Sequence, residues 1–354
     1  MGFKELSKME TGVSIIVCCY NSVPRLPATL RHLAGQIVSK HIPWEVVVVN
    51  NNSSDDTASV ANKEWEKYNI PVPFKVVEES TPGLSHAREA GMRNSTQELI
   101  IFCDDDNWLE PDYVQNAVDI MAANHSIGIL GGLNTPIADV EIPSWFHNFS
   151  DGYACGPQAA QDGPVDPNRL YITGAGMVIR RKIFAELDAF GFKSQMLDRK
   201  GEELSSGGDT ELCFATAILG YELYYSSKLR LFHYMDEKRL TWSYLIKLYK
   251  GHMKSYYKLL FYKRIYHGTP LNKSWTKETI DRIKKESANN AFAMVYHSYV
   301  KDKTTVKDVY NIERINEMEV WKAHFNARNE YKKLISYFCK IEEAAKRKKE
   351  ENRW

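Results

Sequence analysis

The 354-residue sequence lacks the features that direct a chain into or across a membrane. It has no N-terminal signal pattern, and no uninterrupted apolar run reaches the length of a membrane span. Its six cysteines form no CxxC pair and show no metal-ligand spacing, which favours free thiols in a reducing compartment. We therefore expect a cytoplasmic protein, with the inner face of the membrane as the alternative location.

The sequence also lacks the glycine-rich loops that bind phosphates in several nucleotide enzymes. The segment after the first predicted strand, residues 19–24, reads CYNSVP and holds no glycine. This argues against a sugar-phosphate nucleotidyltransferase, and the missing GxGxxG pattern argues against a dinucleotide dehydrogenase. There is no internal repeat and no base-stacking or groove-reading motif, so we expect no nucleic-acid partner.

The net charge of +1 conceals an uneven distribution along the chain. Residues 237–354 hold 27 Lys and Arg against 14 Asp and Glu, a net of +13. Residues 1–236 hold the remaining 19 and 31, a net of −12. An acidic body followed by a basic tail predicts two functional parts, which we place at 1–236 and 237–354.

Four short apolar runs alternate with segments of helical periodicity, which predicts an α/β fold. The runs are too short for helices and apolar on both faces, as in parallel strands covered by helices. This pattern indicates an open, doubly wound, mostly parallel sheet, with strands at 13–20, 44–49, 74–77 and 99–103. Ligands in such sheets bind beyond the carboxyl ends of the strands, where polar residues cluster at 19–21, 50–56 and 104–107.

The most informative cluster is the run Asp104, Asp105 and Asp106, directly after a buried strand. Adjacent carboxylates repel one another unless a cation lies among them. Mg²⁺ or Mn²⁺ binds one or two carboxylates together with substrate phosphate oxygens. The alternative is a solvated acidic turn before the next helix. Because three polar clusters converge on one sheet edge, we favour a metal and ligand site.

The middle of the sequence is less regular and carries further candidates. Gly131-Gly132 and residues 135–170 are interpreted as long loops, and 170–179 as a strand. The centre of that strand, Gly174-Ala175-Gly176, indicates either a close approach to the backbone or a bulge. Asp209 begins a predicted helix, where an N-cap role is the simplest interpretation. His233 ends the next strand and is either structural or a ligand.

From residue 241 the pattern is helical. Aromatic and apolar residues recur at helical spacing, and lysines stand at 247, 250, 254 and 258, so 241–265 form a basic amphipathic helix. We favour a docked helix with a solvated lysine face. The alternative is peripheral contact with a membrane surface or an anionic partner. Further helices are expected near 276–299, 305–325 and 327–350.

Six sequence blocks, in this order, resemble family 2 glycosyltransferases, which have the GT-A fold. They cover roughly residues 10–236. The resemblance implies metal-dependent transfer of a sugar, with Mn²⁺ or Mg²⁺, from a nucleotide donor to an acceptor hydroxyl with inversion. A C-terminal all-helical extension follows the resembling part. The blocks are VSIIVCCYN (13–21), EVVVVNNNSSDDT (45–57), GLSHAREAG (83–91), FCDDD (102–106), TGAGM (173–177) and GGDTELC (207–213).

The resemblance assigns the nucleotide-sugar contacts to the ends of the first strands. The family commonly carries aspartates where this sequence has Asn50 and Asn51, so an amide would contact the base. Arg88 would reach the base or the diphosphate. The donor-binding set that the resemblance implies is Cys18, Tyr20, Asn21, Asn51, Arg88, Asp104 and Asp105.

The resemblance also implies a metal ligand and a catalytic base. Asp106, the last acid of the family's DxD pattern, would bind the metal directly, and His233 would contact the metal or the diphosphate. Asp209 would be the catalytic base. The family often carries a glutamate before it, where this sequence has Gly208. The residues implied on the acceptor side are Gly174, Ala175, Gly176 and Glu211.

We expect a UDP-sugar as the donor and a glycan or a lipid-linked saccharide as the acceptor, as in surface polysaccharide assembly. One alternative is a non-catalytic scaffold that binds a nucleotide sugar or a glycan. Its basis is that residues 50, 51 and 208 lack the acids common in the family. The other alternative is a different nucleotide-sugar enzyme, such as a nucleotidyltransferase.

Overall fold

The computed structural model describes residues 11–196, 207–284 and 318–351. A nine-stranded mixed sheet forms the centre of the molecule. Its strands are β1 (Val13–Cys19), β2 (Trp44–Asn51), β3 (Phe74–Glu79), β4 (Leu99–Asp104), β5 (Asn107–Leu109), β6 (Ile127–Ile137), β7 (Gly163–Pro164), β8 (Val178–Arg180) and β9 (Glu222–Tyr234).

Helices pack on the sheet in two groups, each with its own apolar cluster. One cluster contains buried residues of α1, α2 and α4, and the other contains residues of α3, α5 and α6. The helices are α1 (Leu26–Ala34), α2 (Thr57–Glu66), α3 (Leu84–Arg93), α4 (Tyr113–Ala123), α5 (Lys182–Ala189), α6 (Gly208–Ile218), α7 (Trp242–Tyr266) and α8 (Tyr331–Glu351). Residues 275–284 and 318–326 are also helical.

The strand order is β3-β2-β1-β4-β8-β6-β9-β5, with β7 paired to β9. The four predicted strands form the parallel half, in the order β3-β2-β1-β4. Their register brings Cys18 beside Asp104 and Cys19 beside Asn50. The prediction of a sheet flanked by helices is confirmed. The parallel pattern is interrupted at β8, which is antiparallel to both β4 and β6, whereas β6 and β9 pair in parallel.

One predicted strand is much shorter than expected and one observed strand was not predicted, and glycines contribute to both differences. The predicted strand 170–179 is reduced to β8, because Leu170 and Gly176 have positive φ angles that break an extended chain. Conversely, β6 was not predicted. Its Gly131 and Gly132 serve close packing rather than a turn: a Cβ on Gly131 would lie 2.4 Å from Ile172, and one on Gly132 would lie 2.1 Å from the carbonyl oxygen of Leu229.

The C-terminal helices α7 and α8 pack on the α6 side of the sheet. Buried residues of all three helices belong to one apolar cluster. Within it, the buried Tyr262 hydroxyl of α7 donates to Glu211 of α6 at 2.8 Å. A second cluster joins the start of α7 to the short helices at Ser144–Asn148 and Ser150–Tyr153. The division at residue 236 remains a prediction. Residues 285–317, which include parts of two expected helices, lie outside the described residues.

Two observations concern the cysteines and the possibility of membrane-spanning helices. All six cysteines are free, and four of them are buried. Within residues 11–196, 207–284 and 318–351, no helix combines the length and apolar composition that a membrane crossing requires.

Gly176 is expected to be essential for packing. Its φ is +72°, and a Cβ there would lie 2.5 Å from the hydroxyl of Tyr113. Gly176→Ala should cost about 1–2 kcal/mol in backbone strain and a further ~1–3 kcal/mol in overpacking. Gly191→Ala is the matched control, because its φ is +79° but no described atom lies within 4 Å of the new Cβ. Urea unfolding should show a larger loss for Gly176→Ala, and equal losses would contradict the packing account.

Candidate active site

A cavity of about 970 Å³ opens at the carboxyl ends of β1, β2 and β4. Its volume is near the upper end of the usual range for small-molecule sites, about 300–1,000 Å³. Residues of α7 also line it. Eleven predicted site residues line this cavity: Cys18, Tyr20, Asn51, Arg88, Asp104, Asp105, Asp106, Gly174, Ala175, Asp209 and His233.

Three predicted site residues lie outside the lining, and each has a structural task instead. Asn21, with φ of +49°, joins two loops: its backbone N–H donates to Ser53 Oγ, and its Oδ1 accepts from the backbone N–H of Ser54. The carbonyl of Gly176 accepts from the Tyr113 hydroxyl at 2.6 Å. Neither residue lines the cavity, and their contacts with donor and acceptor remain predictions.

Glu211 is the third residue outside the lining. It is 1% exposed, and its carboxylate accepts hydrogen bonds from the Ser194 hydroxyl, the Gln195 backbone N–H and the Tyr262 hydroxyl. The predicted acceptor contact is therefore corrected to a structural role. Glu211 fixes α7 and the segment around Ser194 to the start of α6.

Each of the last two acids of the triplet is paired with a cation. Arg25 donates to Asp105 through both Nε and Nη2, at 3.1 and 2.6 Å. Burial and the neighbouring charge of Asp106 nevertheless raise the pKa of Asp105 to about 6. The Asp105 carboxylate is thus held against the start of α1, and Thr29 donates to its backbone carbonyl at 2.7 Å.

Asp106 is the most densely contacted acid of the site. Its Oδ2 accepts from Arg239 at 2.8 Å, and its Oδ1 lies 3.4 Å from His233 Nε2. Burial alone would lower the pKa of His233, but the Asp106 carboxylate outweighs burial and raises that pKa to about 9. His233 is therefore protonated at neutral pH, and Asp106 lies between two cationic side chains.

Strand pairing brings these groups together. His233 lies in β9 opposite Asn107 of β5, and the backbone N–H of Tyr234 donates to the Asp106 carbonyl at 2.9 Å. Arg239 ends the short helix Glu237–Arg239 that follows β9, and its own carbonyl accepts from the Tyr153 hydroxyl. The acid turn and the chain after β9 are thus joined by backbone as well as side-chain contacts.

Asp209 lies in the first turn of α6, with its side chain held by two backbone N–H groups. Oδ2 accepts from Gly174 at 2.8 Å, and Oδ1 accepts from Thr210 at 2.8 Å. A Cβ on Gly174 would lie 3.0 Å from an Arg88 nitrogen and 3.2 Å from the Asp209 carboxylate. Of the two alternatives for this glycine, the structure shows the close approach, and it brings Arg88 and Asp209 to the same point of the backbone.

Asn51 lines the cavity, but its amide is bonded to the protein. Nδ2 donates to the carbonyls of Thr81 and Glu79, at 2.7 and 3.2 Å. Oδ1 accepts from the backbone N–H of Gly83 at 2.8 Å. The side chain therefore holds the segment between β3 and α3 against the end of β2.

The sequence interpretation missed both arginines and the cavity face of α7. Arg25 and Arg239 belong to no motif, so no spacing pattern distinguishes them from other basic residues. The aromatic spacing of α7 was visible, but it predicted only a docked helix. The α7 residues that line the cavity are Leu248, Tyr249, His252, Met253, Tyr256, Leu259, Leu260 and Lys263.

The donor set fits a metal that arrives with a phosphate ligand. Among the residues that the structure describes, no three His, Cys, Asp or Glu side chains are grouped so as to hold a metal by themselves. Asp104 and Asp106 both line the cavity, and Mg²⁺ commonly uses one or two carboxylates with substrate phosphate oxygens. Such an ion would share Asp106 with Arg239 and His233.

The sequence profile described as "Glycosyl transferase family 2" matches residues 14–188. Residues 14–188 are a glycosyl transferase family 2 domain. The matched segment contains β1 from residue 14 onward, β2 and β4, and the acids at 104–106 that line the cavity. Asp209, His233, Arg239 and α7 follow it in the chain.

Two curated relatives show how far the similarity to this family 2 domain extends. Putative glycosyltransferase EpsH of Bacillus subtilis is 33% identical over 108 residues, which is 30% of this chain and 30% of the relative. Glucosyl-dolichyl phosphate glucuronosyltransferase of Haloferax volcanii is 21% identical over 253 residues, 70% of this chain and 78% of the relative. The match to EpsH thus spans less than a third of either protein.

Solved structures confirm the predicted GT-A fold around the family 2 domain. Staphylococcus aureus TarS 1-349 in complex with UDP-GlcNAc has a TM-score of 0.52 at 17% identity, covering 95% of this chain and 91% of that one. Mannosyltransferase PcManGT from Pyrobaculum calidifontis, in complex with GDP-Man and Mn²⁺, has a TM-score of 0.50 at 16% identity, with coverages of 93% and 85%. At these identities the likeness establishes the fold.

The Arg239–Asp106 pair should stabilise the fold measurably. Arg239→Met should cost about 2 kcal/mol, because both side chains are mostly buried, at 16% and 11% exposure. Arg169→Met is the control: it removes a similar pair, but Asp151 is 53% exposed, so the loss should stay below ~1 kcal/mol. Urea unfolding in EDTA measures both. Arg239→Met should cost less in an Asp106→Asn background, and strictly additive losses would contradict direct pairing.

Proposed function

We propose that this protein is a glycosyltransferase that moves a sugar from a nucleoside-diphosphate sugar to an acceptor hydroxyl, in surface polysaccharide or glycan assembly. The supporting observation is that Asp106 and Asp209, far apart in sequence, line one cavity. Asp106 lies among cations suited to a diphosphate, whereas Asp209 lies at the start of a helix. The family 2 match supports this activity over a binding scaffold or a nucleotidyltransferase.

Departure of the nucleoside diphosphate requires positive charge where negative charge develops. Arg239 and His233 contact Asp106, and Arg88 lines the same cavity. We propose that these side chains bind and orient the diphosphate, with Cys18, Tyr20 and Asp104 beside the nucleoside. Mn²⁺ or Mg²⁺, held by Asp106, would supply Lewis-acid stabilisation of the leaving phosphates. His233 would be a second contact of the metal only in its neutral form, after the ring gives up the proton that Asp106 favours.

Asp209 is proposed as the general base that accepts the proton of the acceptor hydroxyl. The N–H groups of Gly174 and Thr210 hold its carboxylate in a fixed orientation within the cavity lining. A single base that activates one hydroxyl, attacking in line with the leaving diphosphate, gives inversion at the anomeric carbon.

The donor is proposed to be a UDP-sugar, in keeping with the UDP-GlcNAc complex of TarS. GDP-sugars are the competing class, since PcManGT binds GDP-Man. A thermal-shift screen of UDP-, GDP- and dTDP-sugars with Mn²⁺ tests the proposal directly. Stabilisation by one class, followed by release of that nucleotide diphosphate, is the expected result. Binding without turnover on any acceptor would favour the scaffold.

The acceptor is proposed to be a glycan or a lipid-linked saccharide that occupies the α7 side of the cavity. The cavity face of α7 carries Tyr249, Met253, Tyr256 and Leu260. Tyrosine offers both an apolar face and a hydroxyl, which suits a sugar ring. The lysines at 247, 250 and 254 are exposed. We propose that they attract anionic lipid headgroups, so that the enzyme works in the cytoplasm at the inner face of the membrane.

Asp209→Asn should abolish transfer while leaving donor binding nearly unchanged. Loss of a general base typically costs about 10²–10⁴-fold in rate, and the side chain keeps its volume. Transfer is measured by nucleotide release with acceptor, and binding by calorimetry with the nucleotide. Asp151→Asn, another acid of the cavity lining, is the control and should keep its rate. Full activity of Asp209→Asn would refute the assignment of the base.

Asp106→Ala should lose the part of donor affinity that depends on a divalent metal. The expected result is that Mn²⁺ tightens nucleotide binding to the unmodified protein but leaves the variant's affinity at its EDTA value, because a carboxylate ligand is gone. Titration calorimetry with UDP in Mn²⁺ and in EDTA makes the comparison. An equal effect of Mn²⁺ on both proteins would exclude Asp106 as the ligand.

A further inference from the structure

Two asparagines end β2 directly opposite two glutamates that end β3. The register pairs Asn50 with Glu78 and Asn51 with Glu79. The side chain of Asn50 donates to Glu78 Oε2 at 2.8 Å. An acid at position 50 would therefore face the Glu78 carboxylate of the neighbouring strand. This edge of the sheet is built from amides on one strand and carboxylates on the next.

The hydrogen bonds of Asn51 require an amide. Its two neighbouring carbonyls, of Thr81 and Glu79, can only accept, so the atom facing them must be a donor. The Gly83 N–H can only donate, so the atom facing it must be an acceptor. An aspartate could satisfy Gly83, but its second oxygen would lie against two carbonyl oxygens without a proton between them.

The segment that Asn51 holds forms part of the cavity. Pro82 and Gly83 line it, together with Leu84 and Arg88 of α3, the helix that begins immediately afterwards. Gly83 has a φ of +137°, a conformation that a hydrogen bond to its N–H helps to fix. Closing this segment against β2 therefore determines where α3 starts and how Arg88 is presented.

We propose that Asn51 is a positioning residue that fastens residues 79–83 against the end of β2, and that it does not select the base of the nucleotide. Both of its N–H donors are used, and the side chain is only 6% exposed. The fastened segment serves every nucleoside diphosphate alike. The expected effect on nucleotide affinity rests on the proposed function, whereas the attachment of residues 79–83 to β2 does not.

The test compares Asn51→Asp with Asn52→Asp, a control that makes the same chemical change one residue later. Asn52 is exposed and lines the same cavity, and its φ of +56° is tolerated by aspartate. In Asn51→Asp, repulsion between the new carboxylate and the carbonyls of Thr81 and Glu79 should open the segment, so hydrogen exchange of the Gly83 amide should become at least roughly tenfold faster. It should stay unchanged in Asn52→Asp.

Nucleotide affinity gives a second, independent reading. Calorimetry with UDP and with GDP in EDTA should show both weakened in Asn51→Asp by the same factor, about tenfold or more. A change in the ratio of the two affinities would show that Asn51 selects the base and would overturn the proposal. Unchanged affinities would overturn it as well.

A third variant covers the case in which Asn51→Asp does not fold. Asn51→Ala removes all three hydrogen bonds of the side chain without adding a charge, and it should also accelerate Gly83 exchange. Protection of Gly83 equal to that of the unmodified protein would refute the fastening. If the unmodified protein binds neither nucleotide, the proposed function fails, while the exchange measurement still decides whether Asn51 fastens the segment.

Discussion

The structure of the site depends on the Asp106 carboxylate and the two cationic side chains that contact it. Three adjacent acids at the end of one strand would repel one another in a partly buried cavity. Arg25 on Asp105, and Arg239 with His233 on Asp106, counter that repulsion. Because His233 and Arg239 come from β9 and the residues after it, the pairing also ties the two halves of the sheet together. The contacts that neutralise Asp106 are thus also contacts that join distant parts of the chain.

Much of the fold follows from the sequence, because the parallel half obeys simple rules. Short apolar runs ending in polar clusters predicted β1 to β4, and the rule that ligands bind at strand carboxyl ends brought Asp104, Asn51 and Cys18 to one edge. The Asp209 contribution to the same cavity depended on family resemblance. Arg239 could not be predicted, since its partner is Asp106 and nothing in local sequence links a lone arginine to a distant acid.

The errors come from residues whose usual structural preference is overridden by tertiary contacts. Glycines at 131 and 132 indicated a loop but lie in a strand, because Ile172 and Leu229 approach their backbone. Asparagines at 50 and 51 suggested a weakened binding site, yet Asn50 bonds to the Glu78 carboxylate and Asn51 to the carbonyls of Glu79 and Thr81. Glu211 suggested a substrate contact, yet it is buried beneath α7. In each case the residue that makes the contact is distant in sequence, so a local sequence pattern cannot predict the contact.

The cavity is built from two parts of the chain with different relationships to known proteins. The part that we propose binds the nucleotide comes from strands within residues 14–188, the segment that matches the family. Asp209 and α7, on the proposed acceptor side, lie beyond that segment. Glu211 fixes α7 to α6 through Tyr262, so this side is attached to the helix that carries the proposed base. Because this contact fixes α7 to α6, substitutions on the aromatic face of α7 could change the acceptor without moving Asp209. The residues that would define the acceptor are therefore those of α7.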